Sequence, residues 1–176
     1  TQIGLDIDGV AGGDYAGYAV SISSDGNIMA VGAPDNDANG SSAGHVRIYE
    51  NVGSTWSQIG QDINGEAAGD QSGVYTSISS DGSIVAVGSN FHDANKGTVR
   101  IYEYNGTSWS QLGTDIDGES AGDESGNSIS LSSDGNTVAI GAPENDGNGN
   151  NSGHVRIYNY NGSSWIQLGQ DIDGET

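Results

Sequence analysis

Cysteine is absent from the 176 residues, so neither a disulfide scaffold nor a thiolate metal site is available. Positive charge is nearly absent. Arg47, Lys96, Arg100 and Arg156 stand against 24 acidic residues, a formal net charge of -20. Such a chain has no basic patch to meet a phosphate backbone, which argues against nucleic acid as a partner. An anionic membrane surface is disfavoured for the same reason. Long apolar runs are missing too, so membrane insertion is not expected. Neither a signal-peptide pattern nor an initiator Met opens the sequence, as in a mature or excised segment. Only 33% of the residues are hydrophobic. Low apolar content with high net charge is also the composition of disorder. That reading fails on distribution, because the apolar residues recur in short runs bounded by Gly, Asn, Asp or Ser. Ile28-Met29-Ala30-Val31 returns as Ile84-Val85-Ala86-Val87 and as Val138-Ala139-Ile140. Short apolar runs between turn residues are the mark of strands, and thirty glycines suit many tight turns.

What is present, above all, is repetition. The block Asp-Ile-Asp-Gly begins at Asp6, Asp62 (with Asn64), Asp115 and Asp171, at intervals of 56, 53 and 56 residues. Ser-Ser-Asp-Gly recurs around Asp25, Asp81 and Asp134, and Val-Arg-Ile-Tyr ends at Tyr49, Tyr102 and Tyr158. The short interval comes from three residues missing in one loop of the second unit. These landmarks divide the chain into residues 1–9, the end of a preceding repeat, and units at 10–65, 66–118 and 119–176. In the first unit the pattern predicts strands at about 18–23, 27–33, 44–51 and 55–60. An Asp-Gly turn joins the first two. Asn-Gly turns join the last two in the later units, at Asn105 and Asn161. Both are hairpin signals. Four short antiparallel strands in roughly 50 residues fit one blade of a β-propeller. The expected fold is therefore all-β: three tandem four-stranded blades, part of a larger ring or assembly.

The stretch from Gly122 to Tyr158, GDESGNSISLSSDGNTVAIGAPENDGNGNNSGHVRIY, resembles an FG-GAP repeat. Such repeats build the propellers of integrin α chains and of secreted or surface proteins. Gly-Ala-Pro stands at Gly32–Pro34 and Gly141–Pro143 and is degraded to Gly88-Ser89-Asn90 in unit two. The Phe-Gly position reads Ala16-Gly17, Ser72-Gly73 and Ser125-Gly126, keeping the glycine and losing the aromatic. The resemblance implies an extracellular or cell-surface propeller for adhesion or recognition, often with calcium in blade loops. The integrin-type calcium loop joins strands 1 and 2. Here that connection is only Ser-Ser-Asp-Gly, too short for the same cage, so the family's site is not carried onto Asp25, Asp81 or Asp134.

In an up-and-down blade the 2–3 loop and the 4–1 connection share one face. That places 19 of the 24 acidic residues together. An anionic face of this kind repels phosphate and attracts cations. Calcium is the candidate cofactor that suits such a face, because it takes six to eight oxygen ligands of mixed origin. Its candidate ligands are Asp35, Asp37 and Asn39 at alternate positions in the first loop, and Glu144, Asp146 and Asn148 in the third. The second loop has only Asp93, beside the competing charge of Lys96. The closing Glu of an EF-hand loop is replaced by Val46, so a ligand must come from elsewhere. Asp, Asn and Gly also dominate turns for local reasons, and both readings stay open here. Trp56, Trp109 and Trp165 recur at one strand position, as packing residues or as platforms for stacking on sugar rings. His45 and His154 have no accompanying nucleophile pattern, and every conspicuous residue is repeated. A catalytic constellation is usually asymmetric. The expected function is thus a non-enzymatic extracellular repeat protein for adhesion, recognition or surface and filament architecture. Its partners would be other protein chains or further copies of the same repeat. A carbohydrate-binding propeller lectin is the alternative, with glycans as partners, and a propeller-based enzyme comes after it.

Overall fold

The computed structural model describes residues 2–175. Three antiparallel sheets follow one another along the chain. The first contains β1 (Ala19–Ile22), β2 (Ile28–Ala33), β3 (His45–Val52) and β4 (Thr55–Gln58) side by side in chain order, with a short β5 (Ile63–Asn64) on the same outer edge as β4. The second contains β6 (Tyr75–Ile78), β7 (Ile84–Ser89), β8 (Thr98–Tyr104), β9 (Trp109–Gln111) and β10 (Ile116–Asp117). The third contains β11 (Ser128–Leu131), β12 (Thr137–Ala142), β13 (His154–Tyr160), β14 (Trp165–Gln167) and β15 (Ile172–Asp173). A single helical turn, α1 (His92–Asn95), fills the shortened loop of the second unit. The innermost strands β1, β6 and β11 touch in succession, so the sheets stack as propeller blades.

In the first blade four of the five strands agree with the sequence reading to within two residues, and the later blades repeat the same order. The fifth was read as part of the 4–1 connection and is corrected here. β3 is eight residues long, but β4 pairs only with Tyr49–Val52. The inner half of that edge would be left with open backbone groups, which a buried strand does not tolerate. After a detour through residues 59–62 the chain returns as β5 and pairs with His45 and Val46. The Asp-Ile-Asp-Gly block is therefore the second half of a broken fourth strand.

The core lies between blades rather than within them. One apolar cluster joins Ala30, Val46 and Ile48 of the first blade to Ile78, Val85 and Val87 of the second. A second cluster repeats this between Ile84, Ala86 and Val99 and Val138 and Ile140. β7, in the middle, is buried at every residue, whereas β2 and β12 are each partly open. Near-identical sequences thus differ in burial according to position in the stack.

The two glycines of the FG-GAP pattern meet across this seam. Gly73 and Gly126, at the former Phe-Gly position, hold φ of 91° and 87°. Their carbonyls lie directly against Gly32 and Gly88, the first residue of Gly-Ala-Pro in each preceding blade. A side chain on either partner would hold the blades apart.

Candidate functional site

Backbone hydrogen bonds build one face of the stack. Gly69, Gln71 and Ser72 of the second blade donate their N–H groups to Ser41, Ser42 and Ala43 in the 2–3 loop of the first. Gly122, Glu124 and Ser125 do the same to Ala94, Asn95 and Lys96 one blade on. The 4–1 connections and 2–3 loops are thus zipped together on the expected common side. On the opposite side the Ser-Ser-Asp-Gly turns form a separate ladder. Ser24 N–H donates to the Ser80 carbonyl, and Ser80 N–H to that of Ser133. Asp25 accepts from Ser23 Oγ at 2.7 Å and from Asn27 N–H at 3.0 Å, so hydrogen bonding holds its carboxyl below the usual range.

The predicted calcium ligands sit on the zipped face but do not converge into a cage. Asp35 accepts from Gln71 Nε2 at 3.0 Å. Asp37 accepts from Ser42 N–H at 2.8 Å, and Asp146 accepts from Asn151 N–H at 2.7 Å. Glu144 accepts from the Asn151 amide. Asn39 and Asn148 point their NH₂ groups at the carbonyls of Gly65 and Gly174, at 2.6 and 2.8 Å. These amides act as donors, the reverse of cation ligation. Asp93 projects from α1, exposed. As folded, the loops do not fit a single-loop calcium cage.

Three acidic residues counted with the solvated face are buried instead. Asp14, Asp70 and Asp123 each accept an N–H from three residues upstream, closing the turn of the 4–1 connection. Asp14 and Asp123 also accept from Asn36 and Asn145 in the 2–3 loop of their own blade, at 2.7 and 2.9 Å. In the second blade His92 replaces that Asn, its Nδ1 lying 3.1 Å from Asp70. Sequence reasoning missed this bracket because an acid in a Gly-rich loop reads as surface. The available signal was the strict recurrence of Gly-Asp at 13–14, 69–70 and 122–123.

The mid-strand arginines join strands and blades. Arg47 is bidentate on Asp62, at 2.9 and 2.8 Å. Arg156 binds Asp171 of its own blade and Glu119 of the preceding connection. Buried Arg100 turns wholly backwards, to Glu66, the Asn64 carbonyl and Ser72 Oγ. Among the described residues, Glu119, His154 and Asp171 form the one group of three His or acidic side chains with metal-ligand spacing. The Arg156 guanidinium lies against both carboxylates and already supplies their positive charge.

His45, buried in the equivalent place, has its pKa lowered by burial and then by Arg47, against the opposing pull of Asp62 and Asp14. The unfolded chain therefore takes up this proton first. Stability is full above the ordinary value of 6.5 and falls as pH drops below it. Asp62 adds a second loss. Burial raises its pKa, but hydrogen bonds from Arg47 and Gln58 outweigh that and lower it, so its contribution disappears below about pH 4. We expect thermal unfolding to show Tm falling from pH 7 to 5, with a shallower fall in His45→Gln.

The tryptophans are seam anchors, and of the two roles the sequence left open Trp109 and Trp165 take packing, while Trp56 is half-buried. Each indole N–H donates to a carbonyl in the fourth-strand detour of the preceding blade: Trp56 to Ile3, Trp109 to Ile59 and Trp165 to Leu112, at 2.8–3.1 Å. Trp109 is 4% exposed and Trp165 9%, each packed on Tyr104 or Tyr160 with ring centres 5.0 and 5.2 Å apart. No open ring face is left for a sugar at these two positions.

A family model described as FG-GAP repeat matches residues 114–158. No curated protein matches the sequence. Among solved structures, a provisionally assigned 6-phosphogluconolactonase from Bacteroides uniformis is similar in fold, with a TM-score of 0.59 at 14% identity over 90% of this chain and 40% of that one. Hydrazine synthase from Kuenenia stuttgartiensis gives 0.57 at 13% identity, over 89% and 37%. The β-propeller domain of the trilobed protease from Pyrococcus furiosus, described as having an open velcro topology, gives 0.51 at 11% identity, over 88% and 41%. The chain spans about two-fifths of the length of each. At such identities the likeness is one of fold.

Proposed function

We propose that this chain, an array of β-propeller blades carrying an FG-GAP repeat, is a non-enzymatic extracellular module for recognition or adhesion, and that its zipped acidic face is the binding surface. The observation that carries this reading is the division of labour among the acids. Asp14, Asp70 and Asp123 are consumed in holding the face together. Asp8, Asp93, Asp117 and Asp173 stand exposed, with no hydrogen-bond or ion-pair partner among the described residues. Three of these, Asp8, Asp117 and Asp173, occupy the same place in three of the four Asp-Ile-Asp-Gly blocks, with Asn64 in the second, so the free charge recurs along the stack with one gap. Such a row suits a basic protein surface, and its field steers a cationic partner at low salt. The FG-GAP match supports the extracellular assignment. The described residues include no helix long and apolar enough to cross a membrane. The recurrent His, Arg and Trp residues lie in packing and pairing roles, which supports a non-enzymatic reading over catalysis.

Calcium enters this proposal as a counter-ion of the whole face. At about five times its Kd it adds about 1 kcal/mol, or roughly 2–4 °C in Tm for a chain of this size. Calorimetry in calcium, in chelator and in sodium at matched ionic strength tests this; equal shifts in calcium and sodium would reduce it to screening. The face itself is tested by titration calorimetry with a lysine-rich peptide. Asp8→Asn/Asp93→Asn/Asp117→Asn/Asp173→Asn should weaken binding about tenfold or more. Unchanged affinity would remove the face from the proposal.

A further inference from the structure

Five Asn-Gly pairs occur in the chain, at Asn39, Asn64, Asn105, Asn148 and Asn161. Such a pair is reactive because glycine, having no side chain, lets its backbone nitrogen approach the amide carbon of the asparagine before it. The fold disarms three of the five. Gly65 is buried, and its N–H donates to the Gly44 carbonyl at 2.8 Å. The Gly40 and Gly149 N–H groups donate to the Asp37 and Asp146 carbonyls, each at 3.2 Å. Asn39 and Asn148 are also tied by their own NH₂ groups to the carbonyls of Gly65 and Gly174. A nitrogen fixed in a main-chain bond cannot turn onto its neighbour's side chain without local opening.

Asn105 and Asn161 differ on both sides of the reaction. They are exposed, at the tips of the hairpins that join β8 to β9 and β13 to β14. The Gly106 and Gly162 N–H groups have no hydrogen-bond partner among the described residues. The amide oxygens, by contrast, are surrounded by donors. Asn105 Oδ1 accepts from the N–H groups of Thr107 and Ser108, at 3.0 and 2.9 Å. Asn161 Oδ1 accepts from the N–H groups of Ser163 and Ser164, both at 3.0 Å, and from Ser163 Oγ at 2.9 Å. Donors aimed at a carbonyl oxygen stabilise the negative charge that appears there when a nucleophile adds to its carbon. The first blade has Val52-Gly53 at this turn and carries no amide to react.

We infer that these two turns are sites of spontaneous, structure-assisted deamidation. The Gly162 nitrogen adds to Asn161 Cγ, and the surrounding donors hold the oxyanion that forms. The Cγ–Nδ2 bond then breaks, and ammonia leaves with the proton lost from the glycine nitrogen. Water opens the resulting five-membered imide at either carbonyl. One opening leaves Asp; the other leaves isoaspartate, with the side-chain carbons now in the main chain. Nothing is oxidised or reduced, and each event adds one negative charge to the -20 of the chain. Asn105 and Gly106 react in the same way. The turn accommodates the Asp product, because a carboxylate oxygen accepts the same N–H groups. Asp25, Asp81 and Asp134 already do this in the first hairpin of each blade, from the N–H groups of Asn27, Ser83 and Asn136. In the antiparallel order of the strands both Asn-Gly turns lie on the side opposite the zipped loops. The change is therefore independent of what the acidic face binds.

Peptide mass spectrometry on the folded 176-residue chain, held at mildly alkaline pH and sampled over days, follows the five sites separately. Asn105 and Asn161 should convert about tenfold faster or more than Asn39, Asn64 and Asn148, whose reaction waits on local opening. In urea the donors and the protecting main-chain bonds are both lost, so the five rates should draw together. Asn161 has three donors and an NH₂ group without a partner among the described residues. It should outpace Asn105, whose NH₂ group donates to Ser108 Oγ at 3.1 Å. Ser163→Ala removes one donor and should slow Asn161 about threefold or more, with the Asn105 rate unchanged. Asn105→Asp/Asn161→Asp supplies the product without the reaction and should keep Tm within about 2 °C of the parent. Five sites that react alike in the folded chain overturn the inference. An Asn161 rate unmoved by Ser163→Ala overturns the assistance by the turn, and a larger fall in Tm overturns the fit of the product.

Discussion

Replacing Trp109 by alanine should lower the unfolding free energy by about 3–5 kcal/mol, the range for truncating a buried aromatic side chain. The residue concentrates several functions of the seam in one place. Its ring fills the gap between the detour at Gly60 and the face of Tyr104. Its indole N–H satisfies the Ile59 carbonyl, which the broken fourth strand leaves without a strand partner. Its backbone N–H and C=O are both held by the Gln61 side chain, at 3.1 and 2.7 Å. Trp109→Phe keeps most of the buried area but loses the indole bond, so it should cost about 1–3 kcal/mol. Trp56→Ala should cost less than Trp109→Ala, because Trp56 rests on the exposed segment 2–9 rather than on a complete blade. Urea unfolding of the three variants measures the series. Equal losses at Trp56 and Trp109 would mean that the tryptophans stabilise their own blades and not the seams.

Gly88→Ala should be almost as damaging, at about 3 kcal/mol. The added methyl would lie 2.5 Å from the Gly126 carbonyl oxygen and 2.9 Å from Ile129 Cδ1. The oxygen belongs to backbone that is itself hydrogen-bonded, so it cannot step aside as a flexible side chain would. Relief requires the second and third blades to separate, which opens the apolar cluster between them. Gly12→Ala is the control, because its Cβ would meet nothing within 4 Å, and it should change stability by no more than about 0.5 kcal/mol. A neutral Gly88→Ala would show that the seam is far looser than the interlocked glycines imply.

Much of this architecture could be read before any coordinates. The period located the blades, and the Asp-Gly and Asn-Gly turns located the hairpins. The alternation of loops correctly put the 2–3 and 4–1 segments on one side. The broken fourth strand was hidden because a two-residue strand has no periodicity to detect, and its Asp-Ile-Asp-Gly flanks look like turn chemistry. Burial of Asp14, Asp70 and Asp123 was hidden for a different reason: local sequence cannot show that an Asn 22 residues away will meet them. Arg100 illustrates a third limit. It shares the Val-Arg-Ile-Tyr motif with Arg47 and Arg156. Yet in its blade the guanidinium leaves the fourth-strand Asp for Glu66 and Ser72 of its own 4–1 connection and the Asn64 carbonyl of the preceding blade, so identical motifs hold different partners.

The zip between neighbouring blades runs from main-chain N–H to main-chain carbonyl, and this has a consequence for how the loops can change. No side chain takes part in those bonds, so the zip is blind to the residues that form it. The second unit shows the tolerance directly. Its loop has lost three residues, exchanged Pro-Asp-Asn for Asn-Phe-His, and carries Asp93, Ala94 and Asn95 at positive φ. It still offers three carbonyls to Gly122, Glu124 and Ser125. The loops can therefore be rewritten one at a time without unseating their neighbours. That gives the acidic side of the stack the character of a display surface, where selection can edit what is shown while the frame beneath keeps its shape.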